Sequence, residues 1–181
     1  MITTTFLLAM AGLFGAFQSS AVRPDNSVGC QFAIRPETRA PEIRGDGETT
    51  ARTVVMNQPG SPVAVLAVDL TGMNLFVGSR YFERSGRYSV TIKNISDRVL
   101  NRVDVMVHIW AFDGGSIGRG AAWPNPLEPG ATAVINLQSG RGSGTAPADD
   151  VQVVVVVNSA EMAGCRYKPS QQWPTFQRLS Q

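Results

Sequence analysis

Histidine is nearly absent from this chain, and cysteine is scarce: 181 residues hold one His and two Cys. That poverty excludes the usual structural or catalytic zinc set, which needs three or four clustered nitrogen and sulfur ligands. Strong charge of either sign is missing too, with 16 Lys+Arg against 14 Asp+Glu. The basic residues are scattered, so that Arg35, Arg39, Arg44 and Arg52 alternate with Glu37, Glu42, Asp46 and Glu48. Nucleic-acid binding asks for a clustered basic face, and none is written here. No apolar run reaches the ~20 residues that span a bilayer. What remains is a chain of one-domain length with 43% hydrophobic residues, enough to build a core.

The N-terminus has a short apolar run, Phe6 to Phe17, followed by Gln18-Ser19-Ser20-Ala21. Small residues at Ser19 and Ala21 fit a small-x-small cleavage site, which makes residues 1–21 a signal peptide and starts the mature chain at Val22. No Lys or Arg precedes the run, so a retained anchor is the competing reading. Once the signal is cleaved, no stable membrane span is expected. The expected localisation is export to the periplasm, the cell surface or the medium. Gly29-Cys30 resembles a lipidation end, but Arg23 and Asp25 separate it from the apolar run, and we reject it. In an exported chain an even cysteine count points to a disulfide. Cys30 and Cys165 then form one bridge around most of the mature chain, stabilising it by roughly 4–5 kcal/mol in the chain-entropy view. The alternative is two separate buried thiols.

The positive signal is a period of two. Tyr88, Val90 and Ile92 alternate with Arg87, Ser89, Thr91 and Lys93, and the rhythm returns at Val103, Val105, Val107 and Ile109. Successive side chains of a strand leave opposite faces, so this pattern predicts half-buried strands. Seven candidates follow: Val63–Leu70, Asn74–Gly78, Gly86–Ile95, Arg102–Phe112, Ser116–Trp123, Ala131–Leu137 and Val151–Asn158. Asp113-Gly114-Gly115 supplies a tight hairpin turn, and Glu128-Pro129-Gly130 another. Val28–Ile34 reads as an extra short strand and Arg35–Pro62, rich in Pro and Gly, as a linker with a brief strand at Thr53–Met56. Ser139–Pro147 reads as a loose loop, and residues 166–181 as an aromatic tail. Residues 63–165 are thus the domain proper, behind an N-terminal extension at 22–62.

Two strands are apolar on both faces. Val151–Val157 places Val154 and Val156 opposite its other valines, which suits a central or doubly covered strand, with Asp149-Asp150 as charged gatekeepers. On Arg102–Phe112, Met106 and Trp110 project away from the valines beside Asp104 and His108. Either the flanks cover this second face, through Val28–Ile34 and the tail residues Tyr167, Trp173 and Phe176, or it is an apolar patch used for binding.

Residues 88–137 carry a further pattern: Val90 to Ser96 with Asn94 near its end, Val103–Ile109 running into Phe112-Asp113-Gly114, then Ile117-Gly118-Arg119-Gly120 and Leu127-Glu128-Pro129-Gly130. This resembles the FxLYD-type domain and related immunoglobulin-like modules of exported bacterial proteins. Ile109, Ala111 and Phe112 stand where the naming motif has Phe, Leu and Tyr, and only Asp113 matches. The resemblance implies an immunoglobulin-like antiparallel β-sandwich and transfers no catalytic set.

Other motifs fail on context. Gly114-Gly115-Ser116-Ile117-Gly118 matches the hydrolase elbow, but strands flank it and His108 precedes it, so the order Ser…Asp…His is impossible. A His108–Asp113–Ser116 set would lie on one hairpin. Ser139–Thr145 lacks the Lys-Ser/Thr ending of a phosphate loop, Asp149-Asp150 offers at most a weak calcium site, and no carboxylate pair stands out for glycoside cleavage. Asn94-Ile95-Ser96 is an N-glycosylation triplet in a eukaryotic source. The expectation is therefore an all-β sandwich of about seven strands without a cofactor or metal. It would serve as a non-enzymatic module binding an unknown protein or cell-envelope ligand, through loops, a sheet edge, or the Asp104/Met106/His108/Trp110 face. The competing readings are a purely structural envelope component and a hydrolase of unfamiliar design using His108 with Asp104.

Overall fold

A computed structural model describes residues 30–56, 58–79, 81–111, 116–145 and 151–169, excepting the side chains of 110–111, 116–119 and 139. The N-terminal 29 residues, with the expected signal peptide, lie outside the described residues, as do Asp113-Gly114-Gly115, Asp149-Asp150, Trp173 and Phe176.

The chain is an all-β sandwich of two packed sheets. In the first, β5 (Phe82–Asn94) is central. Along one edge it pairs with β3 (Val63–Asp69) and β4 (Met73–Val77) in succession, and along the other with β8 (Thr132–Gly144). In the second sheet, β6 (Leu100–Ala111) and β9 (Val151–Met162) are central, with β7 (Ser116–Trp123) beside β6 and β10 (Cys165–Tyr167) beside β9. All these pairings are antiparallel. All seven expected strands are present.

The inward faces are those the alternation marks. Val103, Val105, Val107 and Ile109 of β6 and Val153, Val155 and Val157 of β9 pack across the gap from Val90, Ile92, Ile135 and Leu137, all essentially without solvent contact. β-branched side chains suit this surface, because their single χ1 preference costs little entropy on a pleat. Burying each contributes on the order of 1.5–3 kcal/mol.

Three segments differ from expectation. Val28–Ile34 makes no strand among the described residues. Ile34 forms one antiparallel bridge to Ser96, with the Arg35 N–H donating to Ile95 and the Asp97 N–H to Ala33. Within Arg35–Pro62, read as a linker with one brief strand, that strand is present as β2 (Thr53–Val55), and it is joined by an unexpected strand β1 (Glu42–Arg44) and a helical turn α1 (Gly47–Ala51). β1 adds to the first sheet beside β3 and β2 to the second beside β9, both in parallel. The single turn α1, capped by Asp46 through Thr49, carries the chain from one sheet to the other. Three residues are too few to display periodicity, so β1 is revealed only by its partner. Lastly, Ser139–Gly144 is strand rather than loop: β8 continues to pair with the first half of β5. Glycine is poor in strands, but here the Phe82 ring fills the space where a Cβ at Gly144 would stand, 2.5 Å away.

The β4–β5 join depends on a close backbone approach. Gly86 has φ +114°, and a Cβ there would collide with the Gly72 carbonyl oxygen. That carbonyl accepts from the Arg87 N–H at 2.9 Å. Gly130, at φ +80°, makes the turn expected after Pro129.

Truncating Ile92 to Ala is expected to destabilise the chain by about 2–5 kcal/mol, because it is fully buried between the sheets. Val134→Ala, at a side chain 47% exposed, should stay within about 0.5 kcal/mol. Urea unfolding of the two variants checks the contrast.

Candidate functional site

Strand alternation puts Asp104, Met106 and His108 on the outward side of β6, opposite the buried valines. The structure brings these positions onto one face but engages them differently. Asp104 is the centre of a polar lattice. Its Oδ1 accepts from Arg102 Nε at 3.0 Å, and its Oδ2 accepts from Ser159 Oγ at 2.7 Å and from Arg166 Nη2 at 3.2 Å. Arg166 also donates to Ser159 Oγ at 2.9 Å and lies 3.6 Å from Glu161. The lattice ties β6, β9 and β10 together across the outer face, which is a structural use of the carboxylate.

Met106 is half-buried between Gly120 of β7 and Val156 of β9, its register partners. His108 is half-buried beside Val154, which has no solvent contact, while Val156 is 7% exposed. The described side chains of the second face around these residues are thus buried or half-buried. The side chain of Trp110 lies outside the described residues. The expected covering differs in one respect: Tyr167 packs into the core between the sheets, with Phe32 edge-on at 6.3 Å. These two rings close the end of the sandwich and do not cover its outer face. The disulfide expected to tie the two flanks together is present. Cys30 and Cys165 are bonded, with Cα atoms 5.3 Å apart and 135 positions between them in sequence.

Burial holds the His108 imidazole below its ordinary pKa, and the positive charge of Arg84 adds to the effect. The ring is therefore neutral at pH 7. Asp104 and His108 stand four residues apart on one strand, roughly 13 Å at strand rise, and with the Asp104 carboxylate held by Arg102, Arg166 and Ser159 they form no acid–base pair. Among the described residues no group of three or more His, Cys, Asp or Glu gathers to hold a metal.

Asn94 of the glycosylation triplet is fully buried. Its amide donates to the carbonyls of Arg98 at 2.7 Å and Leu127 at 2.8 Å, and its Oδ1 accepts from the Ser96 N–H and hydroxyl. With the side chain bonded on every polar atom, it is a structural pin between the β5–β6 turn and the segment before β8. It offers no modification site.

Two features escaped the sequence reading. Arg84 is the largest fully buried side chain among the described residues, 2% exposed, and donates to the Tyr88 hydroxyl at 3.1 Å. A lone arginine in an otherwise patterned strand carries no local mark of burial. The other is an exposed aromatic pair. Phe76 and Tyr81, 54% and 47% exposed, stand with ring centroids 5.5 Å apart on the outer side of the first sheet. A shallow depression of about 520 Å³ also opens on that sheet, lined in part by Asp69, Thr71, Arg87, Asn136 and Leu137. The Asp69 carboxylate there is engaged by Thr71 and held below its ordinary pKa by those bonds.

Compared with protein-family models, curated proteins and solved structures, the chain matches none significantly.

The lowered His108 pKa has a definite sign. In the interval between its folded value and about 6.5, the unfolded chain binds a proton that the folded chain refuses, so stability is complete above that interval and falls as pH is lowered through it. His108→Gln should remove this contribution, making the loss of stability below pH ~6.5 shallower by up to one proton per molecule. Urea unfolding of both proteins across pH 5–7 measures it; parallel pH slopes would contradict it.

Proposed function

We propose that this chain is an exported, non-enzymatic immunoglobulin-like module that binds a protein or cell-envelope ligand. The observation that carries the reading is the Cys30–Cys165 disulfide on a β-sandwich. A disulfide spanning nearly the whole mature chain persists in an oxidising compartment and is reduced in an ordinary cytosol. The apolar run at residues 6–17, ending in a small-x-small site, agrees with that compartment. Among the described residues no helix is long and apolar enough to cross a membrane.

Strand order supports the immunoglobulin-like part. The sheet β3-β5-β8 faces β10-β9-β6-β7, and the chain changes sheets between β5 and β6, between β7 and β8, and again between β8 and β9. That is Greek-key wiring of the kind immunoglobulin-like sandwiches use. The disulfide differs from the inter-sheet bridge of antibody domains, because it joins a flank to the last described strand. The non-enzymatic part is supported by a His108 imidazole that burial holds below its ordinary pKa and by an Asp104 carboxylate committed to holding strands.

Intact-mass measurement of the chain purified from its native host, non-reduced and then reduced, tests the reading. The expected species begins at Val22 and gains the mass of two hydrogens on reduction. A mature species that retains Met1 and carries two free thiols would overturn export, and the module reading with it.

A further inference from the structure

We propose that the outer face of the first sheet at the β4–β5 hairpin is a saccharide site, in which Phe76 and Tyr81 stack on a sugar ring and Glu83 and Arg141 bond its hydroxyls. The proposal deepens the module reading above and rests on it. Phe76 is the register partner of Glu83, so their side chains stand side by side on the outward face, opposite buried Phe82 and Arg84. Arg141 reaches Glu83 Oε2 from β8 through Nε at 3.0 Å and Nη2 at 2.6 Å. Two aromatic rings and a forked ion pair thus share one end of one sheet face.

The chemistry fits a sugar. A pyranose offers C–H bonds on its faces, which favour the negative face of an aromatic ring. Around its rim it offers vicinal hydroxyls, which suit a carboxylate and a guanidinium held together. Arg141 is 77% exposed at its side chain, and with Nε and Nη2 on Glu83 it keeps further N–H donors turned to solvent. Glu83 keeps lone pairs beyond those that Arg141 occupies. Among the described residues the neighbours Asn74 and Ser143 are small or polar and exposed.

Glycine 78 maintains the pair. A Cβ there would stand 3.0 Å from the Tyr81 ring and 3.4 Å from the Phe76 ring. The Gly78 N–H donates to the Tyr81 carbonyl at 2.8 Å and closes the turn that fixes one ring against the other.

The area argues against a protein partner. Two half-exposed rings present on the order of 200 Å², whereas each side of a standard protein interface gives about 800 Å² with an apolar centre. Among the described residues the other large exposed apolar side chain, Val134, sits eight register positions away along β5, roughly 26 Å. A patch this small and ringed by polar groups matches one or two sugar residues.

The test uses the mature, disulfide-bonded chain with three probes: cellohexaose, chitohexaose and isolated peptidoglycan, measured by calorimetry or co-sedimentation. At least one probe should bind. Phe76→Ala and Tyr81→Ala should each weaken that binding tenfold or more, and Arg141→Ala several-fold. Phe76→Trp should preserve it, and Val134→Ala should leave it unchanged. Unfolding midpoints identify any variant that fails to fold, and the Phe76→Trp result then decides. No binding to any of the three probes overturns the proposal, as does binding that both alanine variants keep. Binding transferred to phosphatidylglycerol vesicles overturns it in favour of a membrane surface. The module reading fails separately, if the native chain carries free thiols and an intact N-terminus.

Discussion

Every other feature of this molecule depends on the layer of branched side chains between its two sheets. β6 and β9 lie next to each other at the middle of one sheet, and each contributes an unbroken file of inward valines or isoleucine. Against them stand Val90 and Ile92 of β5 and Ile135 and Leu137 of β8. Such a layer tolerates little change of volume, since interiors are packed about as densely as organic crystals. It also fixes register, because a slip of one residue would turn every valine to the outside. β9 escapes the hazard of an exposed all-valine strand by its position: β6 covers one edge, and β2 and β10 share the other.

Around that layer, the chain secures its periphery with polar devices placed where strands end. Asn94 holds two turns through a fully bonded buried amide. The Asp104 lattice fastens β10 to β9 and β6 from outside, and the Cys30–Cys165 bridge fastens the start of the described chain to the same short strand. β10 is only three residues long and contributes little ladder of its own. Three independent ties, namely the disulfide, Arg166 and the Tyr167–Phe32 contact, compensate for its brevity.

Much of this was legible beforehand, and the remainder was hidden for identifiable reasons. Alternation alone locates β5, β6 and the inward file of valines, because a period of two has one structural meaning when it lasts. The disulfide follows from two cysteines and a secretory pattern. A brief strand at β2 was legible, but β1 and the parallel pairing of both were not, since three residues cannot state a period and their partners lie far along the chain. The second half of β8 reads as a loop because Ser-Gly-Arg-Gly-Ser-Gly is turn composition. Only the Phe82 ring beneath it explains why glycine is required. The outer face of β6 was visible as a set of positions, but the engagement of Asp104 by Arg166 and Ser159 depends on a β10 strand too brief to be read. Phe76 and Tyr81 were visible as residues, yet their pairing depends on a hairpin whose glycine admits two rings.

The measurement that bears most directly on this account is native-state hydrogen exchange at the inward positions of β6 and β9. If the valine layer is the single cooperative core, the amides of Val105, Val107, Val153 and Val155 will exchange only through global unfolding, with the free energy and denaturant dependence of the whole chain. Exchange of these amides through small local openings, well below the global free energy, would mean that the two sheets are not held together by that layer.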